Sequence, residues 1–138
     1  MTITQADDLR EILRTARVIA VVGHSDKPER TSYQIAQMLR REGYVVYPVN
    51  PTVSHIDEWT CYPDLASLPE PPDIVDVFRR SEYLDSVVEE AIAAGAKVVW
   101  GQLGVFDEAA AQRAEAAGLK MVMDRCIKIE YYRLLGSR

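Results

Sequence analysis

Residues 18–25 read VIAVVGHS, a run of five apolar residues that ends at Gly23. A continuous apolar run of this kind is typical of a strand buried on both faces of a parallel sheet. After a short loop, the segment from Thr31 carries the single apolar stripe of a surface helix. Residues 44–49 form a second apolar run, which Asn50-Pro51 closes. Strand, loop, helix and strand together predict one βαβ unit.

The same alternation continues to the end of the chain. Further strands are predicted at 74–78, 97–100 and 121–123, with helices between them and one helix before the first strand. The irregular segment 52–72 is assigned only a short helix at 64–68. Five strands alternating with helices predict a doubly wound α/β fold, a mainly parallel five-stranded sheet with helices on both faces.

Several residues are candidates for capping the predicted helices. Thr4, Asp107 and Asp124 each precede a helix, where a short polar side chain can accept hydrogen bonds from free backbone N–H groups. Thr31 and Gln34 have the spacing of a capping box. These residues predict where four helices begin.

The composition is that of an ordinary globular domain, with 48% hydrophobic and 27% charged residues and a net charge of -5. No run approaches the roughly 20 apolar residues of a spanning helix, and the amino end lacks a signal peptide pattern. We therefore predict a single cytoplasmic domain over residues 1–138, with no membrane contact. The acidic balance argues against nucleic-acid binding. Cys61 and Cys126 are far apart in the sequence, so we predict two free thiols and no metal site.

In open α/β sheets, ligands bind beyond the carboxyl ends of the strands, near the point where the strand order reverses. Five segments directly follow predicted strands and should therefore share one edge of the sheet, which we call the carboxyl rim. They are Gly23–Ser32, Asn50 with Pro51, Arg79 with Arg80, Gly101–Gly104, and Asp124–Cys126.

The first of these segments has the chemistry of a phosphate site. Gly23 permits close approach of the backbone, and the loop leads into a helix amino terminus, where free N–H groups and the helix dipole favour an anion. Side chains that can bind phosphate follow, namely the hydroxyls of Ser25, Thr31 and Ser32 and the charges of Lys27 and Arg30. The alternative interpretation is a plain solvated turn.

A nicotinamide or nucleotide-sugar enzyme is the obvious alternative for a strand, a glycine turn and a helix. The glycine pattern of such enzymes, begun at Gly23, requires glycine where this chain has Ser25 and Pro28. At the end of the second strand, Asn50 stands where these enzymes usually place an acidic residue for the ribose hydroxyls. This alternative is therefore disfavoured but stays open.

Five motifs in a fixed order carry a family resemblance that covers residues 9–134. They are Val21-Val22-Gly23-His24-Ser25, Asn50-Pro51 after a Gly-Tyr-x-Val-x-Pro-Val run, Asp76-Val77-Phe78-Arg79, Trp100-Gly101-Gln102-Leu103-Gly104, and Asp124-Arg125-Cys126. Together they resemble the small stand-alone CoA-binding proteins, which are similar to the CoA-binding domain at the amino end of the succinyl-CoA synthetase α subunit. The resemblance implies a Rossmann-like fold that holds coenzyme A, or an acyl-CoA, at the carboxyl rim.

The same resemblance implies which residues bind the ligand. Gly23, Ser25, Lys27 and Arg30 match the phosphate loop, and Ser32 matches the helix start. The remaining matches are Asn50 and Pro51 beside the nucleotide and Val77, Phe78 and Arg79 under the adenine and pantetheine.

The resemblance implies a binding, carrier or regulatory module and not an enzyme. In the synthetases, the phosphorylated histidine and the nucleotide-binding parts lie outside the CoA-binding domain, and we expect this chain to lack them. The alternative is a CoA-binding subunit whose partner chains supply catalysis.

Other polar and apolar residues leave two interpretations each. His24 is a possible general base, but no partner for it is visible, so we predict structural roles for it and for His55. Cys126 could form a mixed disulfide with the CoA thiol, or it could have only a packing role. Arg79 and Arg80 could be solvated residues at a strand end. The apolar carboxyl end, which contains Tyr131, Tyr132, Leu134 and Leu135, is predicted to cover the sheet, with a homodimer seam as the alternative.

Overall fold

A computed structural model describes residues 2–136 and contains five α-helices and seven strands within that range. The helices are α1 (Ala6–Thr15), α2 (Thr31–Arg41), α3 (Leu84–Ala93), α4 (Glu108–Ala116) and α5 (Ile127–Leu135). The strands are β1 (Val18–Val22), β2 (Val45–Val49), β3 (His55–Ile56), β4 (Trp59–Thr60), β5 (Ile74–Val77), β6 (Val98–Gly101) and β7 (Lys120–Val122). The five strands predicted from the sequence are all present, and their bounds agree within one residue.

Five strands form one parallel sheet in the order β2-β1-β5-β6-β7. The chain runs outward from β1 to β2, then returns past β1 to β5 and continues outward on the other side. The strand order therefore reverses between β1 and β5, whose carboxyl ends are Val22 and Val77. The predicted doubly wound α/β fold is confirmed, and this reversal marks the expected ligand position.

Both faces of the sheet are covered by helices, because the side chains of each strand alternate between two apolar clusters. One cluster joins α1, α2 and α5 to the sheet, and Trp100, which is fully buried, lies in it. The other joins α3 and α4 to the opposite face through Val75, Val77 and neighbouring residues. The apolar end of the chain packs on the first cluster through Tyr131, Tyr132, Leu134 and Leu135, as the core interpretation predicts.

Of the predicted helix caps, only Asp107 is confirmed. Its carboxylate accepts hydrogen bonds from the N–H groups of Ala109 and Ala110 at the start of α4. The prediction for Thr4 is wrong because Gln5 precedes α1, and no side chain of residues 2–136 caps that helix. The prediction for Asp124 is also wrong, since its carboxylate accepts the N–H of Gly104.

The amino end of α5 is instead held by Gln102, which lies 25 residues before Ile127 in the chain. The Gln102 side-chain oxygen accepts the N–H of Ile127 at 3.0 Å, and both residues are buried. A side chain from the loop after β6 thus satisfies a backbone donor that local sequence leaves free. This contact fixes α5 to the carboxyl rim.

Residues 52–72 are more ordered than the sequence predicts. Strands β3 and β4 form a two-stranded antiparallel hairpin beside α2, and residues 65–67 form the predicted short helix with Asp64 as its cap. Arg40 lies over the Trp59 ring at 3.9 Å, and the Tyr33 hydroxyl donates to the Asp57 carboxylate. The hairpin therefore covers the outer side of α2.

Within residues 2–136, none of the helices has both the length and the apolar character needed to cross a bilayer.

Candidate functional site

The carboxyl rim is tightest at Gly23, where the ends of β1, β2 and β5 meet. The Gly23 N–H donates to the Val49 carbonyl at 2.9 Å, and its backbone adopts a φ of 87°. A Cβ at this position would lie 2.5 Å from the Phe78 carbonyl oxygen. Both the conformation and the close approach require glycine. The structure thus explains why glycine directly follows β1.

The loop between β1 and α2 is held by three polar bonds. The Ser32 hydroxyl oxygen accepts the N–H of Ser25 at 2.9 Å, and the Ser25 hydroxyl oxygen accepts the N–H of Lys27 at 3.0 Å. The Asn50 side chain donates to the His24 carbonyl at 2.9 Å. A hydroxyl has one donor and two acceptor positions, so both serines keep a proton to donate to a ligand.

The amino terminus of α2 is open to an incoming anion. The predicted capping box is wrong, because Arg30 is the N-cap residue and Gln34 instead donates weakly to the carbonyls of Pro28 and Glu29. In the described part of the chain, no side chain makes a cap hydrogen bond to this helix, and its first turn carries no acidic residue. The free N–H groups and the dipole there can bind a phosphate.

Two cavities lie on either side of the contact between Gly23 and Phe78. The first has a volume of about 420 Å³ and is lined by Gly23, Ser25, Glu29, Arg30, Thr31, Ser32 and Phe78. The second has a volume of about 150 Å³ and is lined by Val22, Val49, Pro51, Pro63, Leu65, Arg79, Ser86, Val87 and Glu90. Each cavity combines one arginine with one carboxylate, so neither is uniformly positive.

Seven of the ten residues predicted to bind the ligand line these two cavities. They are Gly23, Ser25, Arg30, Ser32, Pro51, Phe78 and Arg79. Asn50 lines neither, but its side chain positions the loop through the bond to His24. The structure brings together residues that are up to 56 positions apart in the chain.

The other two predicted residues lie elsewhere. The Val77 side chain is fully buried in the cluster under α3, so it supports the site from beneath and cannot reach a ligand from that position. Lys27 is exposed and lines neither cavity. Arg80, for which the sequence leaves open whether it is only a solvated residue at a strand end, is exposed and forms an ion pair with Glu82 at 3.2 Å.

His24 is fully buried, and its contacts fit the predicted structural role. Its Nδ1 lies 2.8 Å from the Ser25 carbonyl oxygen, which can only accept, so Nδ1 carries the proton. The ring makes an edge contact with Tyr33, and burial lowers the pKa of the imidazole. His55 is exposed beside the Ser54 hydroxyl.

A buried carboxyl group beside the rim was not predicted. Asp76 lies in β5 between Val21 and Trp100 of the neighbouring strands and has no exposed surface. Neither carboxyl oxygen has a hydrogen-bond partner among residues 2–136, and burial raises the pKa of this group well above its ordinary value. Burial therefore favours the uncharged form of Asp76, which lies in the central strand of the sheet. From the sequence, Asp76 is only the first residue of a family motif and has no assigned role, because its apolar neighbours predict a strand.

The two cysteines differ in surroundings. Cys126 is partly exposed on the rim directly before α5, whereas Cys61 is buried and burial raises the pKa of its thiol. Both are free thiols. Across residues 2–136, no three His, Cys, Asp or Glu side chains lie close enough together to hold a metal ion.

Comparison with known proteins gives the same family as the five motifs. The chain matches the family described as CoA binding domain over residues 17–132. YneT, an uncharacterized protein of Bacillus subtilis, is 40% identical over 124 residues, which cover 90% of this chain and 92% of YneT. The structure of a hypothetical protein from Pyrococcus horikoshii is 41% identical, with a TM-score of 0.93, and the match covers 96% of this chain and 94% of that one.

A larger enzyme shares the same domain. Acetate–CoA ligase (ADP-forming) I of Archaeoglobus fulgidus is 27% identical over 121 residues, which cover 80% of this chain and 18% of the ligase. The match therefore concerns one part of that enzyme. The resemblance predicted from the sequence is confirmed, and the chain belongs to the CoA-binding domain family.

Proposed function

We propose that this protein binds coenzyme A or an acyl-CoA at the carboxyl rim and acts as a binding, carrier or regulatory module. The observation that carries the proposal is the uncapped amino terminus of α2 beside Gly23, with Arg30 and two serine hydroxyls around it. A pyrophosphate there would accept hydrogen bonds from the backbone and from these side chains.

The rest of the ligand would follow the rim on both sides of this point. The second cavity, lined by Pro51 and Arg79, lies towards β2 and suits the nucleotide part. Glu29 and Glu90 stand at the cavities, so a ligand must place its phosphates towards the arginines and away from these carboxylates. We infer that the positions of these charges orient the ligand.

The proposal is tested by titrating the protein with CoA, acetyl-CoA, NAD and ATP while following its thermal unfolding. A ligand that binds only the folded state stabilises it by about 2.7 kcal/mol at a hundredfold excess over its dissociation constant. We expect stabilisation by CoA and acetyl-CoA. Stabilisation by NAD alone would contradict the proposal and favour the nicotinamide alternative.

Arg30→Ala and Arg41→Ala form a matched pair for the same assay. Both arginines are exposed, and they lie at opposite ends of α2. A hydrogen bond to a charged group contributes about 1.5 to 3 kcal/mol, so loss of Arg30 should weaken CoA binding about tenfold or more. Arg41→Ala should leave the affinity unchanged. An equal loss in both variants would show that only the overall charge matters.

The similarity to an acetate–CoA ligase supports a second role, as the CoA-binding part of a synthetase that is assembled from several chains. This role predicts partner chains that copurify with the protein from its native cells. It requires the same CoA site, so titration with CoA alone does not separate it from the first role. The cytoplasmic location stays a prediction. The homodimer also stays a prediction, and light scattering would test it by measuring the mass of the protein in solution.

A further inference from the structure

The loop after β6 presents two large apolar side chains to solvent on the carboxyl rim. Leu103 is 62% exposed and Phe106 is 56% exposed, while Val105 between them is buried. Two of the four large hydrophobic residues that are exposed within residues 2–136 therefore lie in one four-residue segment. Single exposed hydrophobic residues are common, but a pair on a functional edge indicates a contact surface.

This loop is held in place by polar bonds from both neighbouring loops. The Ser81 hydroxyl donates to the Gly104 carbonyl and accepts the N–H of Phe106, both at 3.0 Å. From the other side, the Asp124 carboxylate accepts the N–H of Gly104 at 2.7 Å. The apolar pair is thus fixed in position and is not free to fold back into the core.

The pair lies within the reach of a CoA molecule held as proposed above. Neighbouring strands are about 4.8 Å apart, so the ends of β1 and β6 are roughly 10 Å apart across β5. A pantetheine arm has twelve bonds between its terminal oxygen and its sulfur and spans about 13 to 14 Å when extended, at about 3.3 to 3.6 Å for every three bonds. With the pyrophosphate at Gly23 and the nucleotide towards β2, the thiol end reaches the loop after β6.

We propose that Leu103 and Phe106 bind the acyl chain of an acyl-CoA, and that the ligand carries an uncharged aliphatic acyl group. This inference rests on the proposed CoA site and adds the class of thioester. Near the pair, Arg80 is already paired with Glu82 and Arg125 with Glu130, and Asp124 contributes a negative charge. A terminal carboxylate on the acyl group would find no free cation among these residues and would lose hydration against the apolar pair.

The experiment measures the affinities of CoA and of acetyl-, butyryl-, hexanoyl- and succinyl-CoA by calorimetry. Full burial of one methylene contributes about 0.8 kcal/mol, which is about fourfold in affinity. A methylene that the protein covers on only one side contributes about half of that free energy, which is about twofold in affinity. Hexanoyl-CoA has four more carbons than acetyl-CoA and should therefore bind about fifteenfold more tightly. Butyryl-CoA should bind more tightly than succinyl-CoA, which has the same number of carbons.

The double variant Leu103→Ser and Phe106→Ser should abolish the preference for hexanoyl-CoA and leave the affinity for CoA itself unchanged. Ile129→Ser is the matched control, because Ile129 is also 56% exposed but lies on α5. Equal affinities for CoA and hexanoyl-CoA, or an equal effect of the control, would overturn this inference alone. Failure of CoA and all its thioesters to bind would overturn the proposed function as well.

Discussion

Replacing Gly23 with alanine tests how closely β1 and β5 approach at the reversal of strand order. The residue has a φ of 87°, a conformation that costs an L-residue about 1 to 2 kcal/mol. The added Cβ would also lie 2.5 Å from the Phe78 carbonyl oxygen, and backbone must move to relieve that contact. Overpacking of this kind costs about 1 to 3 kcal/mol. We expect Gly23→Ala to lower the free energy of unfolding by about 2 to 5 kcal/mol.

Gly118→Ala separates the two costs. Gly118 has a φ of 89°, but a Cβ there would meet nothing within 4 Å. Urea unfolding of both variants should therefore show an excess loss of about 1 to 3 kcal/mol at Gly23, which measures the contact with Phe78. If the two variants lose the same free energy, the rim is looser than the structure shows, and the argument for a glycine-only approach at this point is refuted.

Three further predictions concern single residues. Asp76→Asn should stabilise the protein, and the gain should grow as pH rises above about 4. In the unfolded chain the carboxyl group loses its proton near the ordinary pKa of about 3.9, whereas burial raises its pKa in the folded protein. The parent protein therefore loses stability as pH rises above about 3.9, and the asparagine variant does not. Urea unfolding at pH 4 and pH 7 checks this, and a difference from the parent protein that does not change with pH would contradict it. Incubation with CoA disulfide should add the mass of CoA at Cys126 by thiol exchange and leave Cys61 unmodified, since Cys61 is buried and its pKa is raised; Cys126→Ser should block the addition. Asp107→Ala should cost about 1 kcal/mol of stability and Asp107→Asn much less. Only the alanine variant removes the side-chain oxygen that accepts hydrogen bonds from two N–H groups at the start of α4. Equal losses of unfolding free energy in the two variants would show that the cap is not responsible.

The fold could be predicted from the sequence because its main signals are local. Each strand of the parallel sheet is a short apolar run, and each helix carries a stripe of the helical period. The hairpin at residues 55–60 escaped prediction because its strands have two residues each, and its turn, Asp57-Glu58, has no glycine or asparagine. Two-residue strands are stabilised by what they pack on, here α2, and not by their own pattern.

Helix capping was predicted poorly because the structure uses residues distant in the chain. Gln102 satisfies the start of α5, and Asp124, the local candidate, is turned towards Gly104. Sequence spacing identifies a polar residue near a helix end but not the direction of its side chain. At α2 the wrong prediction matters most, because the absence of a cap, within the described residues, leaves the helix end available to a ligand.

The candidate site was predictable in outline because topology alone gathers the ends of parallel strands at one edge. Which side chains reach the ligand depends on alternation along each strand, so Val77 faces the core while Phe78 and Arg79, one and two positions later, line the cavities. The resemblance identifies a segment, but a segment match does not tell inward from outward residues. Lys27 shows the same limit of a segment match for a loop residue. Its segment lies at the site, but its side chain is exposed and lines neither cavity.

The rim is preorganised by side chains that join loops from different strands. Ser32 and Asn50 hold the loop after β1, while Ser81 and Asp124 hold the loop after β6. Ordering a side chain on binding costs about 0.5 to 1.5 kcal/mol, and groups that are already held avoid much of that cost. This also explains how a chain with a net charge of -5 could bind an anionic ligand. The attraction would come from backbone N–H groups, hydroxyls and two arginines, Arg30 and Arg79, that line the cavities. These groups act at contact distance, whereas the more distant surface charges are largely screened by salt.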